Sequence, residues 1–83
     1  MAYKLMFFVQ VFEVTKKNKL IGGRSYEVAS EDAALLKARF LSEKVVGVVA
    51  FSQMVDAEAA DAEEPVLLAH FGRVPAEARS AAA

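Results

Sequence analysis

Few residues in this chain have side chains suited to chemistry, and they are scattered. His70 is the sole imidazole and there is no Cys, which removes thiolate nucleophiles and thiolate ligands. One imidazole cannot anchor a zinc site. Ala69 and Phe71 flank His70 and offer it neither acid nor nucleophile, so a half-buried strand histidine with a satisfied hydrogen bond describes it better. Ser25, Ser30, Ser42 and Ser52 lack a base partner in sequence, although triads assemble in space. Glu31/Asp32 and Glu63/Glu64 are paired carboxylates. The first pair suits a helix start, and the second lies in a solvated stretch where nothing raises a pKa. Asp56, Glu58 and Asp61 have spacing for a hard cation but lack the central Gly and alternating ligands of a calcium loop. Gly22-Gly23 before Arg24 leads into a strand, not into the helix N-terminus that a phosphate cradle needs. No catalytic, cofactor or metal residue is assigned.

Charge offers a better candidate surface. Lys16, Lys17, Lys19 and Arg24 lie on and just after a turn, with no acid between Thr15 and Ser25. A basic hairpin can track nucleic-acid phosphates, yet only Asn18 and Tyr26 stand ready for base contacts. Turn lysines more often serve solubility and edge protection. Residues 1–44 carry eight Lys/Arg and five Asp/Glu, whereas residues 45–83 carry two and six. Lys16, Lys17 and Lys19 of one copy could therefore meet Asp61, Glu63 and Glu64 of another. Net charge is −1, so no overall field argues for nucleic acid or anionic lipid.

The elements that must carry these groups follow from pattern. Eighty-three residues, 55% of them apolar, suffice for one domain, expected over residues 1–75 with a fraying tail at 76–83. No apolar run reaches the ~18 residues of a membrane span, and no cleavage site follows the first apolar stretch. With no Cys, a cytoplasmic setting is expected. Tyr3–Val14, rich in Phe and Val, reads as a strand. Thr15–Lys19 reads as a turn in which Asn18 tolerates the left-handed conformation. A second strand follows, broken early at Gly22-Gly23 by a bulge or wide turn and resuming through Val28. Ser30-Glu31-Asp32 is a helix start: a capping hydroxyl, then two acids in the first turn. The helix is expected to run to Lys44. Strands are expected over Val45–Val55 and Val66–Phe71, with an acidic loop between. This order, β-β-α-β-β, implies an α+β domain: a four-stranded antiparallel sheet, preferred order 2-1-3-4, with one helix on one face.

Both faces of that sheet read as apolar. Sorted by alternation, Leu5, Phe7, Val9 and Val11 oppose Met6, Phe8, Phe12 and Val14, with Gln10 among the latter. Val46, Val48 and Ala50 oppose Val49, Phe51 and Val55, and Val66 and Leu68 oppose Leu67, Ala69 and Phe71. A single helix covers one face, and leaving the other wet forgoes roughly 1.5–3 kcal/mol per large side chain. The expected resolution is a homodimer packing sheet on sheet through Phe7, Val9, Val11, Val49, Phe51, Leu67 and Phe71. The competing expectations are that strand 2 of the chain or its C-terminal tail folds over that face, or that an unidentified protein partner covers it. On the helix, Ala33, Ala34, Leu36, Ala38, Phe40 and Leu41 span an arc of roughly 200° that Lys37 and Lys44 must share by snorkelling. Deep burial in a small core is its simplest explanation.

The segments Gly47-Val48-Val49-Ala50-Phe51-Ser52 and Pro65-Val66-Leu67-Leu68-Ala69-His70-Phe71-Gly72-Arg73-Val74-Pro75, with the helix begun at Ser30, resemble a group of short uncharacterised bacterial proteins. The likeness covers roughly residues 26–77. It implies a small cytosolic α+β fold and no activity. The sequence thus leads to a non-enzymatic, self-associating interaction module. Two alternatives remain: a nucleic-acid-binding accessory using Lys16, Lys17, Lys19 and Arg24, and an enzyme or sensor with its site at the dimer seam.

Overall fold

The computed structural model describes residues 3–56, 58–59 and 61–76. The expected tail lies, from residue 77 onward, outside the described residues. The element order is β1 (Tyr3–Val14), β2 (Leu20–Val28), α1 (Glu31–Ser42), β3 (Gly47–Asp56), β4 (Asp61–Ala62) and β5 (Val66–Gly72). All pairings are antiparallel, in the order β2-β1-β3, with β4 and β5 both on the outer side of β3. The expected α+β architecture is therefore the observed one. The acidic loop adds the short β4, which pairs with Val55 and Asp56.

Local chemistry sets each turn. Asn18 has φ 61°, and the Asn18 N–H donates to the Thr15 carbonyl at 2.9 Å while the Thr15 N–H donates to the Lys19 carbonyl. The Ser30 hydroxyl accepts from the Ala33 N–H at 3.1 Å, capping a helix whose first turn holds Glu31 and Asp32. The helix closes at Ser42, two residues earlier than expected. There the Lys44 and Val45 N–H groups both donate to the Leu41 carbonyl, which turns the chain toward β3. The Gly pair does not break β2. Ser25 opposes Gln10 and Gly22 opposes Phe12, so Gly23 and Arg24 together face Val11 in a bulge. The Gln10 amide donates to the carbonyls of Val11, Gly23 and Arg24, which explains a glutamine among phenylalanines.

The helix packs on one face only. Val9, Ala34, Ala38, Val48 and Ala50 are fully buried, ringed by Phe7, Val28, Leu41, Val45, Leu68 and Phe71. The two small helix residues let α1 approach the sheet closely. At the far end of β3, the buried Asp56 carboxylate accepts from the Glu58 and Ala59 N–H groups and so caps the turn that follows.

Candidate interaction surfaces

The seven residues expected to form a dimer face divide between two faces. The register pairs Phe8 with Phe51 and Val9 with Ala50, so odd-numbered residues of β1 share a face with even-numbered residues of β3. Phe7 and Val9 belong to the helix-side core, and Val11, opposite Val48, lies on that same side. A bulge at Leu68 then reverses the alternation in β5. Leu67 opposes Phe51, while Phe71 opposes Val48 under the helix. Of the expected set, Val49, Phe51 and Leu67 therefore stand on the face that the helix leaves open, and Phe7, Val9, Val11 and Phe71 do not. One pattern cannot give the register between two strands that are both apolar on both sides.

The open face has two parts. Phe8 stacks on Phe51 with centroids 5.3 Å apart, and Met6, Val55 and Leu67 share that side, each half-buried. Nearer the hairpin, Phe12 and Val49 are buried beneath Val74, which is only 7% exposed, with Leu20 alongside. The chain reaches over them because Gly72 has φ 71° and lies against Gly47. A Cβ on Gly72 would meet the Val46 carbonyl, and one on Gly47 would meet the Arg73 carbonyl. The Arg73 N–H, donating to the Val46 carbonyl at 2.9 Å, fixes the fold-back. Val74, inside the expected domain, thus covers the second face at one end, whereas the tail expected to fold over it lies, from residue 77 onward, outside the described residues. Val74 carries no periodic signal of its own; the run from Gly72 to Pro75 marks the turn that places it.

The helix arc is split, which corrects the expectation of deep burial. Ala34 and Ala38 face the sheet, but Leu36 is 71% and Phe40 58% exposed. With Val28, Ala33 and Lys37 they line a shallow groove of about 520 Å³. Lys37 lies over the Tyr26 ring at 4.4 Å and Lys44 over Phe40 at 5.0 Å, so the lysines do extend along apolar surface. Tyr3, Leu5 and Val66 are exposed toward the opposite end of the sheet.

Charge is polarised along the 44 Å length of the molecule. Lys16, Lys17 and Lys19 are exposed at the β1–β2 turn, and the Arg73 guanidinium donates to Asn18 Oδ1 at 2.9 Å. Arg73 thus joins a cluster that sequence spacing could not connect. Arg24 stands apart from it at the bulge, opposite Val11. At the other end lie Asp61, Glu63 and Glu64, all exposed. Hydrogen bonds from the Glu63 N–H to the Met54 carbonyl and from the Gln53 amide to the Glu63 carbonyl tie this segment to β3. The Tyr3 hydroxyl donates to Asp61 at 3.4 Å, and its pKa is raised, chiefly by the negative charge of Asp61, with burial, that hydrogen bond and Glu63 adding to it.

Among the described residues, His70 and Ser52 do not converge. His70, opposite Val49, faces the open side, whereas Ser52, opposite Phe7, lies on the helix side and is buried. Ser25, Gln10, Val49 and His70 form one row across four strands, so Ser25 and His70 are about 14 Å apart at ordinary strand spacing. Among the described residues no three His, Asp or Glu gather as metal ligands, and no helix is long and apolar enough to cross a membrane. The fold and its surfaces define an α+β module with one helix on an antiparallel sheet. Comparison with protein-family models, curated proteins and solved structures finds no match.

Proposed function

We propose that this chain is a non-enzymatic interaction module that pairs with a second copy of itself through the open sheet face. The observation that carries this reading is the Phe8–Phe51 stack, half-buried with Met6, Val55 and Leu67 on the side away from the helix. Val74 covers that side at the end holding Phe12 and Val49, and Phe51 and Leu67 pack against that cluster. Burying such surface contributes about 25 cal/mol per Å² of apolar area. A twofold pair is the simplest way for identical surfaces to cover each other. Placement of His70 and Ser52 on opposite faces supports a non-enzymatic role. A sequence without Cys suits a reducing, cytoplasmic setting. The test is solution mass by light scattering, for the wild type and for Phe8→Glu. A wild-type chain that is monomeric at micromolar concentration ends the proposal.

A second reading has one observation in its favour. Arg73 adds a guanidinium to Lys16, Lys17 and Lys19, making a phosphate-binding end without Arg24. It requires retention on DNA or RNA at low salt that falls steeply as salt rises. No retention at low salt removes it.

A further inference from the structure

The groove beside the helix is apolar along its walls and cationic at one border. Leu36 and Phe40, four residues apart on α1, stand outside the core and line it with Ala33 and Val28. Among the described residues, Lys37 is the one charged side chain in its lining. The Lys37 ammonium is held 4.4 Å from the Tyr26 ring centroid, and that of Lys44 5.0 Å from the Phe40 centroid. Neither lysine has a carboxylate partner among the described residues. At 100° per residue, Asp32 and Glu43 fall on the other flank of the Leu36–Phe40 stripe, away from Tyr26, and Glu31 lies farther round still. Glu27, opposite Phe8, belongs to the open face of the sheet.

An ammonium lying over a ring keeps N–H donors free for a further acceptor. Two such groups at the border of an apolar floor match a molecule with an anionic head and an apolar body. Burial of the body contributes about 25 cal/mol per Å², and a charge-assisted hydrogen bond fixes which end lies at the lysines. A volume of about 520 Å³ falls in the usual range for small-molecule sites. From Ala33 to Phe40 the helix advances about 10 Å, a stretch that an octanoate chain can lie along. A protein segment would also have to meet Asp32 and Glu43 on the far flank, whereas a small anion meets only the lysine border.

We propose that this groove binds a small amphiphilic anion, an aliphatic carboxylate. Its chain lies along Leu36 and Phe40, and its head accepts hydrogen bonds from Lys37 and Lys44. The site is on the helix side, apart from the open sheet face, so it serves a single chain and a pair equally.

Octanoate, titrated into the full chain and followed by amide NMR, tests the site. Saturable shifts at Val28, Leu36, Lys37 and Phe40 are expected, with Kd below about 1 mM. Octanol, with the same chain and no charge, should bind about fivefold more weakly, and acetate should shift nothing. Lys37→Gln should weaken octanoate about threefold and leave octanol unchanged, and Lys37→Arg should restore octanoate. Leu36→Ser, at an exposed position that the fold does not need, should weaken both ligands. Absence of saturable shifts overturns the proposal, as do equal affinities for octanoate and octanol or shifts confined to Phe8 and Phe51. Shifts at Leu36 and Phe40 that grow with protein concentration alone would give the groove to a second copy and overturn it. Binding to vesicles of phosphatidylcholine and phosphatidylglycerol, with none of free octanoate, would make it a membrane contact and overturn it as well.

Discussion

Phe8 and Phe51 are cross-strand partners whose rings stack at 5.3 Å and 28° on the side of the sheet opposite the helix. Phe51 also packs against the buried Phe12, Val49 and Val74 cluster, so Phe8 is the better position for testing pairing. Phe8→Glu is expected to leave the helix and sheet intact by circular dichroism while raising the dimer dissociation constant about thirtyfold or more, as for a central hot-spot residue. Sedimentation equilibrium on both chains measures the change. Unchanged association would move the interface elsewhere.

The other exposed apolar surface supplies the control. Leu36 is mostly outside the core. Leu36→Lys should therefore change unfolding free energy by no more than about 0.5 kcal/mol and leave the solution mass unaltered. Loss of the dimer in this variant would assign pairing to the helix groove instead of the sheet.

The fold-back over Phe12 and Val49 depends on backbone geometry that only glycine tolerates. Gly72→Ala places a Cβ against the Val46 carbonyl at a residue with φ 71°. The expected loss is about 3 kcal/mol, read by urea denaturation. Val74→Ala removes the roof without touching the turn, and its expected cost is about 2 kcal/mol. If both variants unfold like the wild type, the C-terminal turn does not hold the second face.

Tyr3 reports the acidic end. Its phenol should titrate above the ordinary tyrosine range, and Asp61→Asn should bring it down, since Asp61 is the largest cause of the shift. Absorbance titration in a Tyr26→Phe background isolates the signal. A folded pKa above the unfolded one means that the contact favours folding below the ordinary tyrosine range. That contribution is lost as pH rises through the folded pKa. Identical titration curves with and without Asp61 would contradict the assignment.

Much of this architecture is legible in the sequence because local chemistry dictates it. Ser30 and the two acids after it mark the helix start, Asn18 the tight turn, and Gly23 the bulge that it forms with Arg24. The faces were harder to read. β1 and β3 are apolar on both sides, so a slip of one residue costs little in pattern terms, and Phe7 cannot be told from Phe8 as the outward ring. The bulge at Leu68 then moved Leu67 and Phe71 to opposite faces despite their even spacing. Leu36 and Phe40 show a further limit: an apolar arc on a helix does not say how much of it a narrow sheet can cover. The Arg73–Asn18 contact joins residues 55 positions apart, and spacing alone could not have found it.

Solution mass is the most direct measurement of the central claim. At micromolar concentration, multi-angle light scattering should give twice the 9.0 kDa chain mass, persisting in high salt because the central contact is apolar. A mass of one chain under the same conditions would contradict pairing through the Phe8–Phe51 face.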